Sequence, residues 1–158
     1  MEKRTMTTDQ LSFTQIETKV DVADACVIFN EARASTPGLP PAPVSIDEFR
    51  TLTEGELIVG ARQQNGSDEL LGFISIWEPD SFIHHLYVAV AHQGQRVGPA
   101  LIDKIRVQLG TPLHLKCGSQ NFKAQRFYEK SGWQKGAIEI GADGPYINYC
   151  LATKRQHD

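Results

Sequence analysis

The chain has 158 residues, 41% hydrophobic and 22% charged, the size and balance of one soluble globular domain able to bury a core. Its 16 basic and 19 acidic side chains leave a net charge of −3. That balance argues against a partner such as nucleic acid, which needs a basic stripe to displace counterions, and tilts the expectation toward a cationic small substrate. Cys26, Cys117 and Cys150 are far apart and form neither a CxxC pair nor a zinc spacing, so they read as buried thiols in a reducing compartment with no metal bound.

Residues 1–10 are polar, carry both charge signs and lack the apolar centre of a signal peptide. They read as a flexible N-terminus ahead of one domain over 11–158. The longest apolar run, residues 70–77, is too short to cross a bilayer. Together these point to the cytoplasm, with no membrane partner. Residues 11–16 alternate loosely and predict a first strand. Asp21 is the expected cap of a helix reaching Ala34, with Val22, Ala25, Cys26 and Phe29 on one face. Pro37, Pro40, Pro41 and Pro43 forbid helix and give a stiff, extended loop. Ser45 and Glu48 have capping-box spacing, Val44 can staple against Phe49, and the helix they start should end near Gly55. Residues 57–61 and 70–77 read as a hairpin turning over 64–67. After a turn at Pro79 and Asp80, residues 82–90 form a third strand rich in β-branched and aromatic side chains. A helix over 99–109 ends at Gly110, residues 113–117 are a strand, and a helix over 122–130 closes at Gly132. Residues 137–140 and 147–152 are the last strands. This order predicts an α+β fold, a mixed and mostly antiparallel sheet flanked by helices.

The most informative stretch begins at the third strand, Leu86, Tyr87, Val88, Ala89 and Val90, and continues through Gln93, Gly94, Gln95, Arg96, Val97, Gly98, Pro99 and Ala100. A strand runs into a glycine-containing loop, and the loop opens a helix. The first amides of a helix have no internal partner and sit at the positive end of its dipole, so small residues there let an anion approach. Pro99 suits a first helical position, where its missing N–H costs nothing. No Gly-Lys-Ser/Thr follows and GxGxxG is absent, which excludes a Walker loop and a dinucleotide fingerprint. The segment resembles motif A of the GNAT superfamily of acyl-CoA N-acyltransferases, Gln/Arg-x-x-Gly-x-Gly/Ala, with Gln93 at its first position and Gly98 at its last. Arg96 replaces the middle glycine. If that position is left-handed, arginine costs about 1–2 kcal/mol there, which a contact with CoA phosphates could offset.

Asn121, Ala124, Tyr128 and Gly132, followed by Trp133, resemble motif B of the same superfamily, and the first three share one helix face. The resemblance covers about residues 57–153. It implies the GNAT fold, acetyl-CoA as donor and an amine as acceptor. It also implies that Leu86 to Val90 pair with the pantetheine arm, that an N–H near Val88 binds the acetyl oxygen, and that amides from Gln93 to Ala100 hold the pyrophosphate. Asn121 and Ala124 would contact the CoA arm, and Tyr128 would protonate the leaving sulfur. For the base there are two candidates. His84 has the strand parity of Leu86 and Val88, so these three should face one side while His85 and Tyr87 face the other. Glu78 ends the preceding strand. His92, His114 and His157 read as surface residues. The proline loop and its flanking helices should wall the acceptor pocket. The acidic balance and the absence of a further domain favour a small-molecule acceptor. A homodimer stays open, because C-terminal strands of such folds often pair. The alternative to an enzyme is a non-catalytic acyl-CoA-binding sensor or partner-binding module, against which Tyr128 speaks, since a pure binder has no use for a thiol acid.

Overall fold

The computed structural model describes residues 10–39, 42–65 and 67–152. The expected flexible segment 1–10 therefore lies outside the described residues except for Gln10, as do Pro40 and Pro41 of the proline loop and His157. The elements are β1 (Leu11–Gln15), α1 (Lys19–Ala34), α2 (Ile46–Leu52), β2 (Leu57–Gln63), β3 (Leu70–Trp77), β4 (Phe82–Val88), α3 (Val97–Leu109), β5 (Leu113–Gly118), α4 (Phe122–Lys130), β6 (Gln134–Gly141) and β7 (Gly144–Leu151). The strands form one sheet in the order β1-β2-β3-β4-β5-β7-β6. β4 and β5 pair parallel and the other neighbours antiparallel, so the α+β expectation holds.

Local chemistry explains most boundaries. α2 has the full capping box: Ser45 Oγ accepts from the Glu48 N–H, and Glu48 Oε1 accepts from the Ser45 N–H. α1 is capped one turn earlier than expected. Thr18 Oγ1 accepts from the Asp21 N–H at 3.1 Å, and Asp21 instead pairs with Arg62 at 2.6 Å. α3 starts at Val97, two residues before Pro99. β4 stops at Val88, because residues Val90–His92 wind into a 3-10 turn. β6 and β7 begin three residues sooner than their apolar side chains suggested, as cross-strand pairing extends into polar residues.

While β6 is exposed, the centre of the sheet is buried on both faces. On one, Leu71, Ile74 and Ile83 pack with Leu101 and Ile105 of α3. On the other, Phe73 packs with Ile28 and Phe29 of α1 and Phe49 of α2. Each such buried side chain contributes about 1.5–3 kcal/mol. The two packed faces meet at β4, and there the sheet opens. β4–β5 pairing is confined to Phe82↔His114 and Ile83↔Leu115. Beyond those two rungs β4 runs on to Val88 and β5 to Gly118, and a gap passes between them.

Candidate active site

The register of β4 against β3 breaks within the strand. Ser75 faces His85, but the next rung is Ile76 with Ile83, so His84 is an extra residue in a β-bulge. Ile83, Leu86 and Val88 belong to the α3 side of the sheet, while Tyr87 and Ala89 pack on the α1 side. His85 is on the α1 side as well, its ring edge-on to Phe29 at 5.2 Å. The His84 ring stacks on that of His85 with centroids 3.9 Å apart. The parity argument for His84 is thereby corrected: it stands with His85 and Tyr87, not with Leu86 and Val88, because one inserted residue reverses the alternation.

The Ala89 N–H donates to Leu71 O at 2.8 Å. Antiparallel alternation then turns the Leu86 and Val88 N–H groups away from β3, toward the gap. Val88 O, on that same edge, accepts from Gln93 Nε2 at 3.2 Å. The chain next makes two left-handed turns, at Gly94 (φ 83°) and Arg96 (φ 69°). Arg96 is the N-cap of α3 and its side chain makes no cap bond. The Ala100 N–H returns to Arg96 O, and Pro99 has no N–H. The Val97 and Gly98 N–H groups are thus left at an uncapped helix start, an anion-binding arrangement. A Cβ built on Gly98 would meet Val88 Cγ2 at 3.8 Å, an ordinary contact. The fold itself does not demand glycine at 98, and its bare Cα leaves a cradle open above these amides.

The gap and this helix start belong to one groove of about 800 Å³. Tyr128 enters it from α4 on the α3 side of the sheet, its ring against Phe127, Trp133 and Tyr149. Its hydroxyl has no hydrogen-bond partner among the described residues. Burial pushes its pKa well above the usual phenol value, with Cys117, Tyr87 and Tyr149 adding to the effect. His84 enters from the other face. Its Nδ1 lies 2.7 Å from Oε2 of Glu56, a side chain only 7% exposed. Glu56, His84 and His85 hold donor atoms within 4.8 Å of one another. The two imidazoles are nearly parallel, at 26°, so their in-plane lone pairs do not converge on one point, as a metal centre requires.

The sequence profile of the acetyltransferase (GNAT) domain matches residues 44–145, well over half the chain. The chain belongs to the GNAT acetyltransferase family. It is an acetyltransferase with acetyl-CoA as donor, and this removes the non-catalytic alternative. Solved structures share its fold. The N-acetyltransferase of Staphylococcus aureus Mu50 superposes with a TM-score of 0.69 at 18% identity, over 91% of this chain and 99% of that one. The ribosomal-protein-S18-alanine N-acetyltransferase of Escherichia coli gives 0.67 at 20% identity, over 94% and 97%. YncA of Salmonella typhimurium, solved with acetyl-CoA, gives 0.66 at 18% identity, over 94% and 97%. No curated protein matches in sequence.

Most of the site residues expected from sequence line the acetyltransferase's groove. His84, Leu86, Tyr87 and Val88 come from β4, Gln93, Gly94, Arg96, Val97, Gly98 and Pro99 from the loop and α3, and Asn121, Ala124 and Tyr128 from α4 and its cap. Five do not line it. Glu78 is exposed in a 3-10 turn beyond the end of β3. Ala89 packs against the α1 core, Ala100 is buried on the sheet-facing side of α3, and Val90 is exposed. Gln95 is bonded to His92, which itself reaches Glu69 and lines the groove rather than lying free on the surface. Asn121 caps α4 through its Oδ1, which accepts from the Ala124 N–H at 3.2 Å. Of the proline loop, Pro37 and Leu39 line the groove with Ala32, Ser35 and Thr36 of the α1 end, whereas no residue of α2 does so among the described residues. Sequence reasoning missed Glu56, which sits between α2 and β2 with no periodic signal, and assigned His85 to the wrong face relative to His84. It also missed Cys117, whose thiol burial and Glu129 push up to about 11, leaving it inert at neutral pH.

Proposed function

We propose that this acetyltransferase moves the acetyl group to a primary amine of a small molecule by direct attack, with donor and acceptor bound together. One observation carries the reading. The β4–β5 gap brings His84, hydrogen-bonded to the buried Glu56, on one face of the sheet and Tyr128 on the other into one groove, beside the inward-turned Val88 N–H and the uncapped start of α3. Acetyl-CoA supplies a thioester whose carbonyl an amine can attack without a covalent enzyme intermediate.

The uncapped Val97 and Gly98 amides and the cations of Arg96, Lys123 and Lys130 would hold its phosphates. The Val88 N–H would donate to the acetyl oxygen and stabilise charge developing there. His84, with Nδ1–H donated to Glu56, would take the amine's proton at Nε2. Tyr128 would donate its O–H to the sulfur from the opposite face. Its raised pKa keeps it protonated, so it acts first as a hydrogen-bond donor and gives up its proton as charge builds on sulfur. Base and acid on opposite faces of one sheet opening suit a reaction in which one bond to carbon forms as another breaks. Cys26 and Cys117 are buried free thiols, which fits the reducing cytoplasm. Among the described residues no helix is long and apolar enough to cross a membrane.

The test is release of free thiol from acetyl-CoA against a panel of small amines, amino acids, polyamines and peptides, with Tyr128→Phe as control. Release with a small amine that the variant largely loses supports the reading. Release confined to peptides would move the acceptor to protein.

A further inference from the structure

We propose that the acceptor carries an anionic group beside its amine, and that Lys116 receives it. The inference rests on the amine-acetylation reading above and names the acceptor class for that site. The residues lining the groove include Arg96, Lys116, Lys123 and Lys130 but no aspartate or glutamate. Three of these cations stand at the start of α3 or on α4, on the side assigned to the phosphates. Lys116 does not. Burial alternates along β5, so Leu115 and Cys117 enter the α3-side core and Lys116 points to the opposite face.

That face is where His84 stands. The Lys116 Nζ is 5.8 Å from the Phe82 ring and 4.8 Å from the Tyr146 ring, and the Phe82 ring is 6.3 Å from that of His84. The cation and the base are thus both neighbours of the Phe82 ring. The ion pairs among the described residues involve Arg62, His84, His92 and Arg106, and Lys116 makes none. The neighbouring carboxylates are engaged elsewhere. Glu56 holds His84 at 2.7 Å, and Glu139 accepts from Tyr146 O–H at 2.9 Å and from Asn148 Nδ2 at 3.1 Å.

A cation held by two aromatic rings, with no counterion among the described residues, on the wall of a groove whose described lining holds no carboxylate attracts an anion and rejects a second positive charge. A polyamine or a lysine in a basic peptide would bring such a charge with no carboxylate to meet it. A carboxylate, phosphonate or sulfonate a few bonds from the amine would place its anion on Lys116 while the amine faces His84. The expectation drawn from the net charge of −3 is thereby reversed: the surplus acids of the chain are not in the groove.

The experiment measures thiol release with matched acceptors: phenylalanine, phenylalaninamide, phenethylamine and 1,4-diaminobutane, then β-alanine, taurine and 2-aminoethylphosphonate to tell carboxylate, sulfonate and phosphonate apart. The expected result is a kcat/KM about tenfold or more higher for an anionic acceptor than for its neutral partner. Lys116→Gln should collapse that ratio toward one by raising the KM of the anionic acceptor, and Lys116→Arg should restore it. Equal or better use of the amide or the diamine overturns the inference and leaves amine acetylation standing, as does a Lys116→Gln loss that is uniform across acceptors. No release with any amine overturns both.

Discussion

His84 Nδ1 and Glu56 Oε2 are 2.7 Å apart, and the carboxylate is buried where the imidazole is partly open to the groove. On the proposed mechanism, the carboxylate accepts the Nδ1–H and leaves Nε2 to take a proton. In that mechanism Glu56 is a positioning residue for the base. Glu56→Gln should lower kcat about 10- to 100-fold and His84→Gln about 100-fold or more, with the KM for acetyl-CoA little changed in either. Because the two act as one unit, the double variant should be little worse than His84→Gln alone. Steady-state kinetics of the four proteins check this, and additive losses would separate the pair.

Much of this site could be read without coordinates, and the reason differs from residue to residue. The Ser45–Glu48 capping box and the Asn121–Ala124–Tyr128 spacing are local patterns, and local patterns survive folding. The face of His84 depends on a bulge, which adds one residue to a two-residue period and has no signature in the side chains around it. Glu56 reaches His84 across 28 positions of sequence, a contact set by the β2–β3–β4 registers rather than by any motif. At Arg96 the departure from the motif was visible, but its backbone hand was not. The structure makes it left-handed.

Tyr128 tests the other half of the chemistry. Its hydroxyl is without a partner among the described residues, and burial keeps it protonated. Tyr128→Phe removes one oxygen and leaves the ring contacts with Trp133 and Tyr149 in place. Turnover should fall about 100-fold, while calorimetric affinity for CoA changes less than about threefold. Equal losses in both would make the hydroxyl a binding group and remove its role toward sulfur.

Arg96 sets stability against binding. At φ 69° a residue with a Cβ is strained by about 1 kcal/mol relative to glycine. Arg96→Gly should therefore raise the Tm of the ligand-free protein by a few degrees. It should also raise the KM for acetyl-CoA several-fold, since a guanidinium at the start of α3 is lost from the phosphate side. A variant that is more stable and binds equally well would mean that the arginine gives CoA nothing in return for its strain.

His85 predicts how the fold responds to acid. It is held between Phe29 and Tyr87 with its Nε2 unpartnered, and burial, then His84, then Arg33, depress its pKa from 6.5 to about 3. In the unfolded chain it titrates near the ordinary value. Between about pH 6.5 and 3 the unfolded state binds a proton that the folded state refuses, so stability falls as the pH drops through that window and is untouched by this group above it. One proton corresponds to about 1.4 kcal/mol per pH unit. From pH 6.5 to 5 the protein should lose about 2 kcal/mol through His85 alone. Urea unfolding of the wild type, His85→Gln and His85→Phe at pH 7 and pH 5 measures it. Both variants should lose less stability than the wild type over that interval, whatever their stability at pH 7. If all three lose the same amount, His85 is protonated in the folded protein and the stacked pair with His84 is charged.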